Sequence, residues 1–219
     1  MKDMKTILCL SLALLLMGCN AKNAKTSIGD SMNRAQMADT KAADEPADNV
    51  SLPATATLAD QNGDFQLFLN VEEAASEDAV AQVTSVWLVN KKTGVVRKLL
   101  VSNPDADLQW EKMKDNNAII VPIEQVAAAD KACFVPGDEG VILVEGCPEA
   151  RNIWTYFIDV NRMTAKQFPS TEGLIRFDEN NRQVVLGSYR YHDEGGRYSV
   201  EKTFSYDGVF QSEVIGEDE

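Results

Sequence analysis

From Leu58 onward, short runs of apolar, β-branched and aromatic residues alternate with turn residues, and this pattern constrains the fold most. It predicts an all-β domain over residues 58–216, an antiparallel meander of about ten strands. The meander would form a curved sheet, a sandwich or an open barrel. We predict a helical turn at 126–130 and strands at 65–71, 83–89, 95–101, 118–121, 140–144, 153–159, 163–168, 173–177, 183–191, 197–205 and 209–213.

The two longest runs predict a hairpin near the end of the chain. Residues 183–191 and 197–205 flank the segment 192–196, which ends in two glycines that favour a tight turn. Since side chains alternate along a strand, Tyr189 and Tyr191 should share one face of the hairpin.

Two segments resemble blades of β-propellers. They are VWLVNKKTGVVRKLL, and IWTYFIDVNRMTAKQF with the strands that follow it. In each, a strand that ends in Asp or Asn leads through a turn into a returning strand. A closed propeller needs at least about four blades of four strands, and this domain is too short to supply them. The resemblance therefore implies blade-like segments within an open architecture.

The beginning of the chain has the pattern of a secretory signal. Lys2 and Lys5 precede an apolar run that is shorter than the roughly 20 residues needed to cross a bilayer. The run ends in Leu16-Met17-Gly18-Cys19, which resembles the lipobox of bacterial lipoproteins. The resemblance implies that residues 1–18 are a cleaved signal peptide and that Cys19 carries a lipid anchor in the membrane.

Residues 19–57 are rich in small and polar residues and poor in large apolar ones. Such a segment cannot bury enough surface to offset its ordering entropy, so we predict a disordered tether. Asn20 follows the cysteine, where an aspartate would resemble the signal that retains lipoproteins in the inner membrane of enterobacteria. The next residues also lack the acidic cluster that resembles the surface-export signal of Bacteroidetes lipoproteins. We therefore expect the periplasmic face of the outer membrane. The whole arrangement resembles uncharacterised envelope lipoproteins of Bacteroidetes, a resemblance that implies no particular activity.

The formal net charge of the chain is −13, and removal of residues 1–18 makes it one unit more negative. Affinity for nucleic acids depends on lysines and arginines that displace counterions from phosphates. An acidic chain without a basic cluster is therefore not expected to bind nucleic acid.

Cys133 and Cys147 are the cysteines of the predicted β domain. A secreted protein lies in an oxidising compartment, and the segment VPGDEGVILVEG between the cysteines could fold back and bring them together, so we expect a disulfide. The alternative is a pair of buried free thiols. A metal or redox pair is disfavoured because the spacing does not match zinc sites, and no metal is predicted.

Other candidate residues have simpler interpretations. Asp60–Asp64 resembles the start of a calcium loop, but its glycine comes too early, so we predict a turn before the first strand. His192 has no nucleophile motif nearby and is expected in the exposed hairpin turn. Two acidic side chains could form a catalytic carboxylate pair of the kind that glycosidases use, but any acidic chain offers such pairs, so they support no enzymatic activity. The candidates are Glu111, Asp115, Glu139, Glu145 and Glu172.

The three tryptophans divide by their surroundings. Trp87 and Trp154 lie within predicted strands and should pack in the core. Trp110 lies in the polar stretch DADLQWEKMKDNN and is the candidate ligand-binding aromatic.

These features favour a non-enzymatic envelope lipoprotein without a cofactor. Its partners would be the membrane, through lipid on Cys19, and another envelope protein bound at a sheet edge or face. The alternative is a carbohydrate-binding accessory lipoprotein that uses exposed aromatic rings on a glycan. Catalytic residues are not predicted.

Overall fold

The structure, a computed structural model, describes residues 50–74, 81–106, 109–113, 115–149 and 151–216. Its contacts divide the chain into Met1–Glu45 and Pro46–Glu219, and all described residues belong to the second unit. The predicted signal peptide, Cys19 and most of the predicted tether lie outside the described residues.

The described residues form thirteen strands in three antiparallel sheets, none of which closes into a barrel. The strands are β1 Thr57–Gln61, β2 Phe65–Glu73, β3 Val83–Asn90, β4 Val96–Val101, β5 Ile119–Pro122, β6 Lys131–Val135, β7 Asp138–Glu149, β8 Asn152–Asp159, β9 Thr164–Gln167, β10 Gly173–Asp178, β11 Gln183–Tyr191, β12 Arg197–Ser205 and β13 Phe210–Ile215. The first sheet has the order β1-β2-β3-β4, the central sheet β5-β9-β8-β7-β6, and the third sheet β10-β11-β12-β13. Helical segments in these ranges are two 3-10 turns, Trp110–Lys112 and Ile123–Gln125, and neither could span a membrane.

The all-β antiparallel prediction is confirmed, and the predicted terminal hairpin has the same strand bounds in the structure. Sequence patterning did not reveal β1 and β6. It also placed a helical turn at 126–130, which is wrong, because Val126 has extended backbone angles of φ −74° and ψ 105°. The 3-10 turn lies just before it, at Ile123–Gln125.

The central sheet packs against another sheet on each of its faces, because its long strands are apolar on both sides. Ile142 and Val144 of β7 lie in the first core, between the first and central sheets, whereas Leu143 lies in the second core, between the central and third sheets. The first core also contains Leu67, Val86, Leu88, Leu99, Leu100, Val121, Val126, Ala129, Ala132, Trp154, Tyr156, Ile158, Val160 and Ala165. The second core also contains Val135, Phe157, Phe168, Val184, Leu186, Phe204 and Tyr206.

The two blade-like segments each contain a turn of the same type. The Asn90 side chain accepts hydrogen bonds from the backbone N–H groups of Lys92 and Thr93, at 2.9 and 3.1 Å. The Asp159 side chain likewise accepts hydrogen bonds from the backbone N–H groups of Asn161 and Arg162, at 3.0 and 2.9 Å. Each turn ends in a positive φ, 71° at Gly94 and 53° at Met163. The side chain that caps each turn lies only two or three residues from the N–H groups that it binds, so the residue pattern alone indicates where the strand returns.

Candidate functional site

The first strands of the β1–β4, β6–β9 and β10–β13 meanders converge on one concave surface. β1, β6 and β10 are each the edge strand of their sheet. They border a cavity of about 510 Å³, here called the convergence cleft, lined by Thr57, Leu58, Ala59, Leu69, Asp130, Lys131, Ala132, Cys133, Leu143, Glu145 and Leu174. Because the lining residues come from all three sheets, the cleft exists only in the assembled stack.

The cleft continues into two neighbouring cavities. One of about 580 Å³ shares Thr57, Leu69 and Asp130 with it and extends along β2 and β3. A smaller one of about 110 Å³ shares Asp130, Lys131 and Glu145 and is also lined by Cys147. Together they form a long depression rather than a round pocket.

Side chains, rather than a backbone ladder, join the converging edges. In the part of the chain that the structure describes, β1, β6 and β10 do not pair with one another. Instead the Asp60 carboxylate on β1 accepts a hydrogen bond of 2.8 Å from the backbone N–H of Phe134 on β6. Glu145 on β7 accepts a hydrogen bond from the backbone N–H of Leu174 on β10. One backbone donor of β6 and one of β10 are thus bound by carboxylates, and within the described ranges these edges have no strand paired along their outer side.

Glu145 is the one buried carboxylate among the described residues, with 5% of its surface exposed. Its Oε1 also accepts a hydrogen bond of 3.2 Å from the Thr155 hydroxyl, which lies 3.3 Å from the Ser170 hydroxyl. Burial raises the pKa of Glu145, and the bonds from Leu174 and Thr155 and the charge of Lys131 oppose that rise. The group therefore sits in a polar cluster that connects the central and third sheets.

Gly173 makes this approach of the third sheet to Glu145 feasible. Its φ is +79°, which L side chains rarely adopt, and a Cβ atom there would lie 2.9 Å from the Glu145 Oε1. A side chain at this position would therefore displace the carboxylate or separate the two sheets.

The disulfide predicted from the sequence is absent, since Cys133 and Cys147 are both free thiols in the structure. The strand register explains the difference. Cys133 pairs with Leu143 across the β6–β7 ladder, so Cys147 lies about 13 Å further along β7 at roughly 3.3 Å per residue. A disulfide requires Cα atoms within about 7 Å of each other. The alternative of two free thiols fits the structure, although both cysteines are only partly buried.

The two thiols have different surroundings. Burial, with the negative charges of Asp60 and Glu145, raises the pKa of Cys133 to about 12. Burial also raises the pKa of Cys147, whose thiol donates a 2.8 Å hydrogen bond to the Glu149 carbonyl. Both groups therefore stay protonated near neutral pH and are poor nucleophiles.

The other sequence candidates do not come together into a site. Trp87 and Trp154 are 3% and 0% exposed, which confirms their core packing. The side chain of Trp110, the candidate ligand-binding residue, lies outside the described part of the chain. His192 is exposed at the β11–β12 turn, as predicted, with its ring 4.6 Å from that of Tyr198.

Of the segment Asp60–Asp64, the first two residues belong to β1, and residues 62–64 form the turn that leads into β2. Asn62 accepts backbone hydrogen bonds there from Asp64 and Phe65. Across the described ranges, groups of three His, Cys, Asp or Glu side chains suited to a metal ion are absent.

Glu145 was only one of five acidic residues in the sequence analysis. Strand alternation places two of the five, Glu139 and Glu145, on the same face of β7 as Val141 and Leu143, so the sequence reduces the candidates to a pair. A carboxylate on an otherwise apolar face is expected to be buried and hydrogen-bonded.

Comparison with known proteins adds little to this description. No protein-family model matches the chain, and no curated protein matches it. The chain is similar to the crystal structure of TolB from Acinetobacter baumannii, with 14% identity and a TM-score of 0.33. The match covers 74% of this chain and 44% of that one. A similarity this low supports no inference about function.

Proposed function

We propose that this chain is an envelope lipoprotein, anchored in the membrane by lipid on Cys19, whose β domain binds an extended segment of another envelope protein. The binding site is the convergence cleft. The protein is anchored in the outer membrane, and its β domain faces the periplasm. The observation that carries the binding role is the meeting of three edge strands, β1, β6 and β10, around one depression. Edge strands offer backbone N–H and C=O groups to which an extended chain can add.

The chemistry of the cleft supports a binding role rather than catalysis. Its thiol, Cys133, is protonated near neutral pH and so lacks the reactive thiolate form. Its buried carboxylate, Glu145, accepts one hydrogen bond from Thr155 within the central sheet and another from Leu174, which joins the central sheet to the third. These groups maintain the shape of the cleft, and the proposal requires no cofactor.

The alternative, a carbohydrate-binding accessory lipoprotein, can no longer rest on Trp87 and Trp154, since both are buried. Exposed aromatic rings are found instead on the β11–β12 hairpin, where Tyr191 is 70% exposed.

Site-specific photocrosslinking in intact cells tests the cleft. A photoreactive residue at Leu58, which is 50% exposed and lines the cleft, should form an adduct of one discrete size. The matched control is Val214, which is 59% exposed on β13 of the third sheet and should give no such adduct. A charged substitution next to the label, Ala59→Lys, should abolish the Leu58 adduct. Equal labelling at both positions, or none at Leu58, would contradict binding at the cleft.

Two measurements test the anchor and its location. Cells fed a labelled fatty acid should incorporate it into the wild-type chain and not into the Cys19→Ser variant. A protease added to intact cells should leave the β domain uncut until the outer membrane is opened. Cleavage in intact cells would place the domain on the cell surface instead.

A further inference from the structure

The hairpin of β11 and β12 extends beyond the rest of the third sheet. The two strands pair over their whole length, from Gln183–Ser205 to Tyr191–Arg197. β10 pairs with β11 only as far as Gly187, and β13 pairs with β12 only as far as Val200. Ser188 still contacts Thr171, and the Ser199 carbonyl still accepts a hydrogen bond from the backbone N–H of Gly216. Residues 189–198 therefore form a two-stranded projection, here called the tyrosine arm.

One face of the tyrosine arm carries Tyr189, Tyr191 and Arg197. The two tyrosine rings are nearly perpendicular, with their centroids 5.4 Å apart, and the Arg197 guanidinium lies 5.1 Å from the centroid of the Tyr189 ring. The Tyr189 hydroxyl donates a 3.2 Å hydrogen bond to the side-chain carbonyl of Asn152 in the central sheet. Tyr189 is thus fixed at the base of the arm, while Tyr191 remains 70% exposed.

On the opposite face of the arm, the arginine is paired with a carboxylate. Arg190 there forms an ion pair of 2.8 Å with Glu213 of β13. Arg197, in contrast, has no carboxylate within ion-pair distance among the described residues. A guanidinium has five N–H donors in a planar fork, so Arg197 retains donors for a ligand beside the exposed Tyr191 ring.

We propose that Tyr191, Tyr189 and Arg197 form a glycan-binding platform that takes a neutral pyranose unit. The apolar face of a sugar ring would stack on Tyr191, whose ring supplies a rigid and amphipathic contact surface. The Arg197 guanidinium would donate hydrogen bonds to neighbouring sugar hydroxyls. This site lies on the third sheet and is independent of partner binding at the convergence cleft.

Charge and size favour this ligand over the alternatives. The chain has a formal net charge of −13, so it repels polyanionic glycans as it repels other polyanions. Three side chains on a narrow arm match one or two sugar units. A stable protein interface uses roughly 20–30 residues on each side.

Isothermal titration of the full lipid-anchored protein, kept in a detergent without a sugar head group, tests the platform. The neutral probes are maltohexaose, cellohexaose, laminarihexaose, mannohexaose and xylohexaose, and the acidic probe is hexagalacturonate. We expect the wild-type protein to bind at least one neutral probe. Tyr191→Ala and Arg197→Ala should each weaken that binding about three- to tenfold, the range expected for loss of one stacked ring or charged donor. Tyr191→Trp should retain it.

The matched controls are Tyr198→Ala and Arg190→Ala, which change an aromatic ring and a guanidinium elsewhere on the arm. Both should bind the same probe as the wild type does, with unchanged far-UV circular dichroism in all variants. Failure of every neutral probe, binding of hexagalacturonate alone, or wild-type affinity in Tyr191→Ala would each overturn the platform. None of these results would alter crosslinking at Leu58, so the proposal for the platform and the proposal for the cleft can be contradicted independently.

Discussion

The two cores on opposite faces of the central sheet achieve close packing in different ways. The second core is built on large rings, with Phe168 in edge-to-face contact with Phe157 at 4.8 Å and with Phe204 at 5.2 Å. The first core contains aliphatic side chains and the rings of Trp154 and Tyr156, and a fully buried alanine segment, Ala127–Ala129, lies directly against Gly146 of β7. Contacts between aromatic rings thus distinguish the second core, whereas a close backbone approach distinguishes the first, and the two should respond to different mutations.

The largest effect is expected from truncation of a ring in the second core. Phe168 is fully buried between two other rings, so Phe168→Ala should lower the free energy of unfolding by about 3–5 kcal/mol. Phe168→Leu, which leaves a smaller cavity, should cost clearly less. Urea denaturation followed by tryptophan fluorescence measures both. A loss under about 1 kcal/mol for the alanine variant would show that rings do not dominate this core.

In the first core, adding one methyl group should be damaging. A Cβ atom at Gly146 would collide with Ala128 and come within 2.7 Å of the Ala129 backbone nitrogen, so Gly146→Ala should cost about 1–3 kcal/mol. Gly187→Ala is the control in the third sheet, because the nearest atom there is the Glu172 side-chain Cβ at 2.9 Å. The same denaturation experiment should rank Gly187→Ala as the milder change. The reverse order would disprove the close-approach interpretation of the first core.

Glu145, which ties the central sheet to the third, should make stability depend on pH. Burial raises its pKa in the folded state, so the folded protein binds this proton more tightly than the unfolded chain does. Its contribution is therefore most favourable below the ordinary pKa of a glutamate and is lost as pH rises through the raised value. Glu145→Gln keeps an oxygen that accepts from Leu174 and Thr155 but has no charge. The variant should melt above the wild type at pH 8 and near it at pH 4; a parallel pH dependence in both proteins would argue against this assignment.

The smallest effect should be the energetic coupling between the cores. Val86 of the first sheet lies in the first core, and Leu186 of the third sheet lies in the second core. The central sheet separates the two side chains. The losses from Val86→Ala and Leu186→Ala should therefore add to within about 0.5 kcal/mol in the double variant. A larger coupling would mean that the central sheet transmits strain between its two faces.

Local patterns predict the strands with clear apolar alternation or a well-marked turn. The β11–β12 hairpin and the capped turns after Asn90 and Asp159 depend on alternation and on side chains a few residues away. Such contacts lie within a short window of sequence. This is why residue patterns located them and why the all-β prediction is correct.

The two strands that residue patterns do not predict, β1 and β6, have weak local signals, although each pairs with the next strand in the chain. β1 contains the polar segment Asp60-Gln61 and was interpreted as a turn, and β6 follows an alanine-rich stretch that resembles a helix. Each is an edge strand, paired on one side only, so its alternation is weak. Helix propensity at 126–130 was overridden because the alanines are needed for close packing against Gly146. Both missed strands border the convergence cleft, so the cleft itself could not be predicted.

The sequence by itself determined the β class of this domain, its main hairpins, the burial of Trp87 and Trp154 and the exposure of the hairpin turn, because each follows from alternation and turn chemistry among near neighbours. Only the tertiary structure decided which sheet faces which, that Cys133 and Cys147 are held apart, and that Glu145 is buried beside the third sheet. The arrangement of the sheets and the burial of Glu145 depend on packing between strands that are far apart in the chain. The separation of the two thiols depends on the exact register of β6 on β7. Residue patterns along the chain determine neither of these.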